Sequence, residues 1–260
     1  MLFDSHCHLD FPVFDHDRDQ LLEKCYQAGI HHICLPATER KHWNRLQTML
    51  GEHPSGVHLW GALGLHPYFL KSHQDDHLAE LDTMIASHPE HIVAIGETGL
   101  DFVIDDPDQP RQKELLAAQI LIAAHHGLPL ILHVRKAHDQ VASLLRKLKF
   151  REGGIVHAWS GSDQQAEAFF QLGFKLGIGG NLTYDRAKRL HRQVVNFPLE
   201  HFVLETDAPD MPPAGLTNRR NTPLTLIAVL EKMSALREQN SLVIARQLSD
   251  NTKDIFRLSR

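Results

Sequence analysis

Apolar residues run through this chain in short bursts, separated by longer segments of helical periodicity, from one end to the other. Bursts too short for a helix and bounded by Gly, Pro, Asp or His predict strands at Leu2–His6, Ile33–Pro36, Leu59–Leu63, Ile92–Gly96, Leu130–His133, Ile155–His157, Phe174–Ile178 and Phe202–Glu205. Between them apolar positions recur three and four apart, predicting helices at Asp17–Ala28, Glu39–Leu50, Asp75–Ser87, Gln112–His125, His138–Leu148, Asp163–Leu172, Arg186–Val195 and Pro223–Arg237. Gly29, Gly51, Gly127 and Gly173 each follow such a segment, where a left-handed helix terminus favours glycine. The helix over Gln112–His125 is apolar nearly all round, with Gln119 as its polar interruption, and is expected to be heavily buried.

Eight strands, each followed by a helix, predict an α/β fold closed as a (β/α)8 TIM barrel, with residues 1–260 as a single domain. A doubly wound open sheet shares the alternation, but the count of eight and the absence of a glycine-rich nucleotide fingerprint after the first strand favour the barrel. Two further helices, around Ser241–Leu248 and Thr252–Leu258, are expected to finish the chain.

A hydrophobic content of 42% and a charged content of 23% are those of an ordinary globular protein. The formal net charge of -5 argues against a surface that grips duplex DNA all round, though not against a local basic patch. Cys7, Cys25 and Cys34 follow no ligand spacing and suit a reducing compartment. No signal segment precedes the first strand and no apolar run suits a membrane span. The expectation is a cytoplasmic protein with no membrane association and no obligate protein partner.

Barrels of this kind carry their chemistry where strands end. The first strand runs into "DSHCHLD", where alternation puts Asp4, His6 and His8 on one face and Cys7 on the other. Taken alone, the two histidines read equally well as a polar strand edge. They gain weight from Glu97, His133, His157 and Asp207, each also at a predicted strand end. Four imidazoles and two carboxylates exceed one tetrahedral ion and suit two divalent ions, with Glu97 as the bridge. Such a pair, about 3.5–4 Å apart, grips a phosphoryl oxygen and lowers the pKa of bound water. Asp207 is then a ligand or the base that accepts the water's proton. Asp4, deeper on the same face, reads as an orienting partner for an imidazole or as a hydrogen-bonded core aspartate. Asp101 reads as a similar partner or a turn former. His66, Arg135 and Arg220 are expected to contact substrate, with Lys136, Arg219 and Asn218 as weaker candidates around the mouth. The mixed nitrogen and oxygen donors suit zinc, manganese, cobalt or nickel, with magnesium a less usual occupant.

The stretches "DSHCHLD", "GLHP", "GETGLD", "ILHVRKAHD", "HAWSGS", "GIGGNLTY" and "LETDAPD" resemble, in order and along nearly the whole chain, the motifs of TatD-family hydrolases. The resemblance implies a metal-dependent deoxyribonuclease on an amidohydrolase-like barrel. It assigns His6, His8, Glu97 and Asp207 to one ion and Glu97, His133 and His157 to the other. Two positions depart from the family pattern. Thr98 stands where "GEIGLD" has Ile, and Thr222 stands in "RNTP" where relatives have a carboxylate. The expected activity is phosphodiester hydrolysis by a metal-activated water, as a 3′–5′ exonuclease on single-stranded DNA or strand ends. The competing readings are an amidohydrolase of cyclic amides or lactones and a non-catalytic metal-binding barrel.

Overall fold

The structure, a computed structural model, describes residues 1–87, 90–216 and 220–258. Asn218 and Arg219 lie outside the described residues. Its strands are β1 (Leu2–Asp4), β2 (Ile30–Pro36), β3 (Gly51–Glu52), β4 (His58–Leu63), β5 (Ile92–Asp101), β6 (Leu130–Arg135), β7 (Gly154–Val156), β8 (Phe174–Ile178) and β9 (Phe202–Leu204). Eight of them pair in parallel in the order β1-β2-β4-β5-β6-β7-β8-β9, while the short β3 makes an antiparallel hairpin on β4. With helices between the strands, this is a nearly closed (β/α)8 barrel.

The seam between β9 and β1 has no regular ladder. Ser5 N–H donates to Leu204 O at 2.9 Å, and Asp207 N–H donates to His6 O at 2.9 Å. Between these two bonds the Asp4 carboxylate stands in for main chain, accepting from Thr206 N–H (3.0 Å) and Thr206 Oγ1 (2.6 Å). Asp4 also accepts from His6 N–H at 3.3 Å. Of its two predicted roles, the hydrogen-bonded core aspartate is the one seen. Burial pushes its carboxyl up to about 7, against the pull of these donors.

Inside the barrel, Phe3, Cys34, Ala62, Ala94, Ile131, Ile155 and Val203 form a fully buried layer, closed from below by Phe256. The alternation of side chains then lifts His133, His157 and Glu205, two residues beyond Ile131, Ile155 and Val203, to the next level. The remaining strand offers Gly177 near this level, where a Cβ would lie 2.0 Å from Glu205 Oε2. The glycine makes room for that carboxyl.

The helices are α1 (Arg18–Gln27), α2 (Trp43–Met49), α3 (Asp76–Ala86), α4 (Gln109–His126), α5 (His138–Lys147), α6 (Asp163–Phe170), α7 (Lys188–Asn196), α8 (Leu226–Arg237) and α9 (Ser241–Ile255). Local sequence explains their ends. Asp108 caps α4 by accepting from Arg111 N–H, and Gly127 closes it at φ 64°. Ser162 and Gln165 make a reciprocal capping box that starts α6. The helix expected from Glu39 begins instead as a 3-10 turn at Arg40–His42. The two helices expected at the C-terminus are one. Ser249 and Asn251 resemble a break in sequence but point inward and bond backbone, Ser249 to Met1 O and Asn251 to Leu199 O and Phe202 O. All three cysteines are buried free thiols. Among the described residues, no helix is long and apolar enough to cross a membrane.

Candidate metal centre

The strand ends differ from expectation in a way that matters for the site. β1 stops at Asp4, β7 at Val156 and β9 at Leu204, so His6, His8, His157 and Asp207 sit just beyond regular strand. Strand parity therefore does not aim His6 and His8; the irregular turn after β1 does. β5 and β6, by contrast, run on past Glu97 and His133. On β5, Ile95 pairs with Leu130 and Thr98 with Leu132, so three residue steps oppose two. This bulge falls at Gly96–Glu97 and turns the Glu97 side chain into the barrel mouth. Close approach there needs Gly64, where a Cβ would lie 2.6 Å from Gly96 C.

Each oxygen of Glu97 faces its own set of donors. On one side His6 Nε2 lies 3.3 Å from His8 Nε2, 3.3 Å from Glu97 Oε2 and 3.4 Å from Asp207 Oδ1. His8 Nε2 completes the figure at 3.4 Å from Glu97 Oε2 and 3.6 Å from Asp207 Oδ1. Ligand atoms about 2.0–2.2 Å from a common tetrahedral centre are separated by about 3.3–3.6 Å, so His6, His8 and Glu97 could hold a divalent cation, with Asp207 Oδ1 beside the two histidines. On the other side Glu97 Oε1 lies 3.1 Å from His133 Nδ1 and 2.8 Å from His157 Nε2, and these two nitrogens are 3.1 Å apart. Three donors at right-angle spacing leave the rest of a coordination shell open to water or substrate.

Tautomers follow from the outer hydrogen bonds. His133 Nε2 lies 2.9 Å from Asp101 Oδ2, so its proton sits there and Nδ1 turns a lone pair to the site. Asp101 also accepts from Val103 N–H and from Arg135, so it is both orienting partner and turn former. Burial opposes its charge, but His133 and these donors hold it down at about 2. His66 is the opposite case. Its Nδ1 accepts Tyr68 N–H at 3.0 Å, which puts the proton on Nε2, 3.0 Å from Glu97 Oε1. His66 therefore presents an N–H rather than a lone pair, and burial drives its pKa down to about 4, keeping it neutral.

Burial also holds His6 neutral, aided by the nearby His157. For His8 and His157 burial works the same way, but the Glu97 carboxylate overrides it and lifts them to about 9 and about 10. Glu97 itself stays well below the usual carboxylate range, burial being outweighed by the imidazoles around it. The ring nitrogens Nδ1 of His6, His8 and His157 are buried without hydrogen-bond partners.

Sequence reasoning missed several parts. Glu205 lies beneath the ligands, with one of its oxygens within 4.8 Å of a nitrogen of His6 and of His157. Its Oε1 accepts Ala158 N–H at 2.6 Å, and burial pushes it up to about 8. Gln112 and Gln119 project from one face of α4, two turns apart. Gln112 bonds both backbone groups of Asp101, and Gln119 both of Leu65, fixing the segments that carry Asp101 and His66. The i, i+7 pair of glutamines was the available signal.

His66 lines the cavity of about 310 Å³ over the centre, whose walls include Phe11, Tyr68 and Phe69. Arg135 and Arg220 do not line it. Arg135 reaches to Asp101 with half its side chain exposed. Arg220 is turned away altogether: it bonds Val13 O and Asp17 and packs over the Phe14 ring at 4.3 Å. Its guanidinium is thus engaged by a carboxylate and a carbonyl near α1 and stands apart from the cavity. Asn221 beside it staples the loop to Thr206 O and Asp210 O.

A family model described as TatD related DNase matches residues 3–257. A protein of Escherichia coli K12 named uncharacterized metal-dependent hydrolase YjjV is 40% identical over 253 residues, covering 97% of this chain and 96% of its own. The crystal structure of YjjV, a TatD homologue from E. coli K12, superposes with a TM-score of 0.94 over 99% of this chain and 98% of that one. The 3'-5' ssDNA/RNA exonuclease TatD of a Rahnella species is 31% identical over 264 residues, 99% of each chain. The match runs the length of the barrel and takes in the histidines and carboxylates gathered at its mouth, and the chain belongs to the TatD family of metal-dependent hydrolases.

Proposed function

We propose that the protein is a two-metal phosphodiesterase that removes nucleotides from the 3′ end of single-stranded DNA, within the reducing cytoplasm that its three buried free thiols suit. The observation that carries this reading is Glu97, whose two oxygens face separate donor sets. His6, His8, Glu97 and Asp207 would hold one divalent ion, and Glu97, His133 and His157 the other, drawn from zinc, manganese, cobalt or nickel. A cation pair of this kind supplies Lewis-acid polarisation of a phosphoryl oxygen and an acidified water.

The protein's own groups supply the rest. His66, neutral and with its proton on Nε2, donates to a non-bridging phosphoryl oxygen as charge builds there. Asp207, at the edge of the cavity, accepts the proton of the attacking water. Phe11, Tyr68 and Phe69 give flat apolar walls against which a terminal base stacks. A cavity of about 310 Å³ suits the end of a strand. The Rahnella relative, named a 3'-5' ssDNA/RNA exonuclease, supports the same substrate class.

The test is a time course on 5′-labelled single-stranded DNA with protein loaded in turn with each metal, with and without chelator. The expected result is a ladder shortening from the 3′ end that chelator abolishes. Intact DNA with every metal, alongside turnover of a dihydropyrimidine or lactone panel, would replace this reading with the amidohydrolase one.

A further inference from the structure

A strand whose end occupies the metal cavity must leave the mouth, and two clefts offer a way: one shares Tyr68 and Phe69 with that cavity, the other lies beside the loop after β7. One, between the Pro67–Ser72 turn and the loop after β5, sets Asp105, Asp106 and Asp108 against Lys71, Arg111 and Arg135. The other, of about 380 Å³, opens beside the loop that carries His157. Trp159 and Ser160, two and three residues past that ligand, form one wall, and Tyr184, Arg186, Lys188 and Arg189 form the other. No carboxylate lines it among the described residues.

What sets this cleft apart is where its charge sits, since the chain's other dense basic run, Arg146 to Arg151, does not line it. Arg186 to Arg192 holds four cations and no acid, in a protein of net charge -5. Arg186, Lys188 and Arg189 are exposed. The Tyr184 ring is fixed by its hydroxyl, which donates to Pro212 O at 3.0 Å, and Arg186 lies over it at 4.7 Å. Arg189 reaches across to Ser160 O, joining the two walls. A nucleic acid brings one negative charge per nucleotide, so a cleft lined by cations without carboxylates suits it better.

Resting on the nuclease reading, we propose that this cleft binds the phosphodiester backbone of the uncleaved part of a single strand, with Arg186, Lys188 and Arg189 on successive phosphates. The cleft then sets the enzyme's preference for strand length, while the metal cavity sees only the end.

The experiment compares wild type with the triple variant Arg186→Ala/Lys188→Ala/Arg189→Ala and a control, Arg146→Ala/Lys147→Ala/Arg151→Ala, which removes equal charge near the opposite end of the barrel. Binding of a fluorescent 20-nucleotide single strand is followed by anisotropy across a salt series, and KM is measured for the 20-mer and a dinucleotide. In the cleft variant the 20-mer's KM should rise roughly tenfold or more, towards the dinucleotide's, and the slope of log Kd against log salt should fall by about 2. The control should match wild type. An unchanged 20-mer KM and slope in the cleft variant, or an equal loss in the control, overturns the proposal. Should wild type cleave neither substrate, the nuclease reading fails by itself. The anisotropy arm still decides the cleft: salt-sensitive binding lost in the cleft variant sustains it, and no binding by wild type removes it.

Discussion

Asp101 Oδ2 lies 2.9 Å from His133 Nε2, and His133 Nδ1 on the far side of the ring lies 3.1 Å from Glu97 Oε1. One carboxylate thus decides which nitrogen of His133 is available to a cation. Replacing Asp101 with Ala should weaken metal binding about 10–100-fold. Asp101→Asn, which can still accept the Nε2 proton, should lose less. Competition with a chromophoric chelator gives the affinities, and equal losses in both variants would remove the tautomer argument.

Glu97 touches both donor sets, so its removal should be the most damaging single change. Glu97→Ala should purify with reduced metal content. Losing several kcal/mol of Lewis-acid stabilisation lowers turnover by about 10³-fold. Elemental analysis beside steady-state kinetics checks both. A fully metallated, active Glu97→Ala would sink the shared-carboxylate reading.

Protons and cations compete here. His8 and His157 are held up at about 9 and about 10 by Glu97, so at pH 7 both are charged before a cation arrives and must lose their protons to bind it. Uptake at pH 7 should release about two protons per chain, and apparent affinity should fall as pH is lowered. Calorimetry in buffers of different ionisation enthalpy counts them; proton-neutral uptake would contradict the assignment.

At the barrel seam, Asp4→Ala leaves Thr206 N–H and its hydroxyl buried and unpaired, at a cost of about 2–4 kcal/mol. Asp4→Asn retains an acceptor and should be milder. The folded pKa of Asp4, about 7, lies above its unfolded value, so wild type loses stability from this group as pH rises from about 4 to about 7. Asp4→Asn should flatten that part of the curve. Denaturant melts of metal-free protein across this range measure it, and parallel curves would count against the raised carboxyl.

Arg220 should matter to stability more than to turnover. The Asp17 carboxylate is held below its usual range, chiefly by the hydrogen bond from Arg220. That contribution is present above the unfolded pKa of about 3.9 and is lost as pH falls through the lower folded value. Arg220→Ala should lower stability at pH 7 by about 0.2–1 kcal/mol for the part-exposed pair, with kcat/KM little changed. A large loss of kcat/KM with an unchanged melting temperature would return Arg220 to the substrate.

Much of this was legible beforehand because periodicity and strand ends are local features. The alternation around Ile131–His133 and Ile155–His157 is written in the chain, and a barrel turns it into convergence. What the chain withholds is environment. Nothing local to Glu205 says that Gly177 leaves space for its carboxyl, and nothing beside Gln112 says that it grips Asp101. The same holds for Arg220: proximity to the mouth in sequence does not reveal that Asp17, some two hundred residues earlier, captures the guanidinium. The beginnings of helices proved softer than their existence, as at Arg40–His42.

The gap in the ladder between β9 and β1 has one further consequence. His6 and His8 follow the first strand and Asp207 follows the last, so a cation gripped by all three fastens the two ends of the sheet across the place where main-chain pairing is thinnest. Loading the site should therefore slow amide exchange at Ser5 and Asp207 more than at strands on the far side of the barrel. The ion would act as a clasp as well as a reagent, and its loss would loosen the protein along a single line.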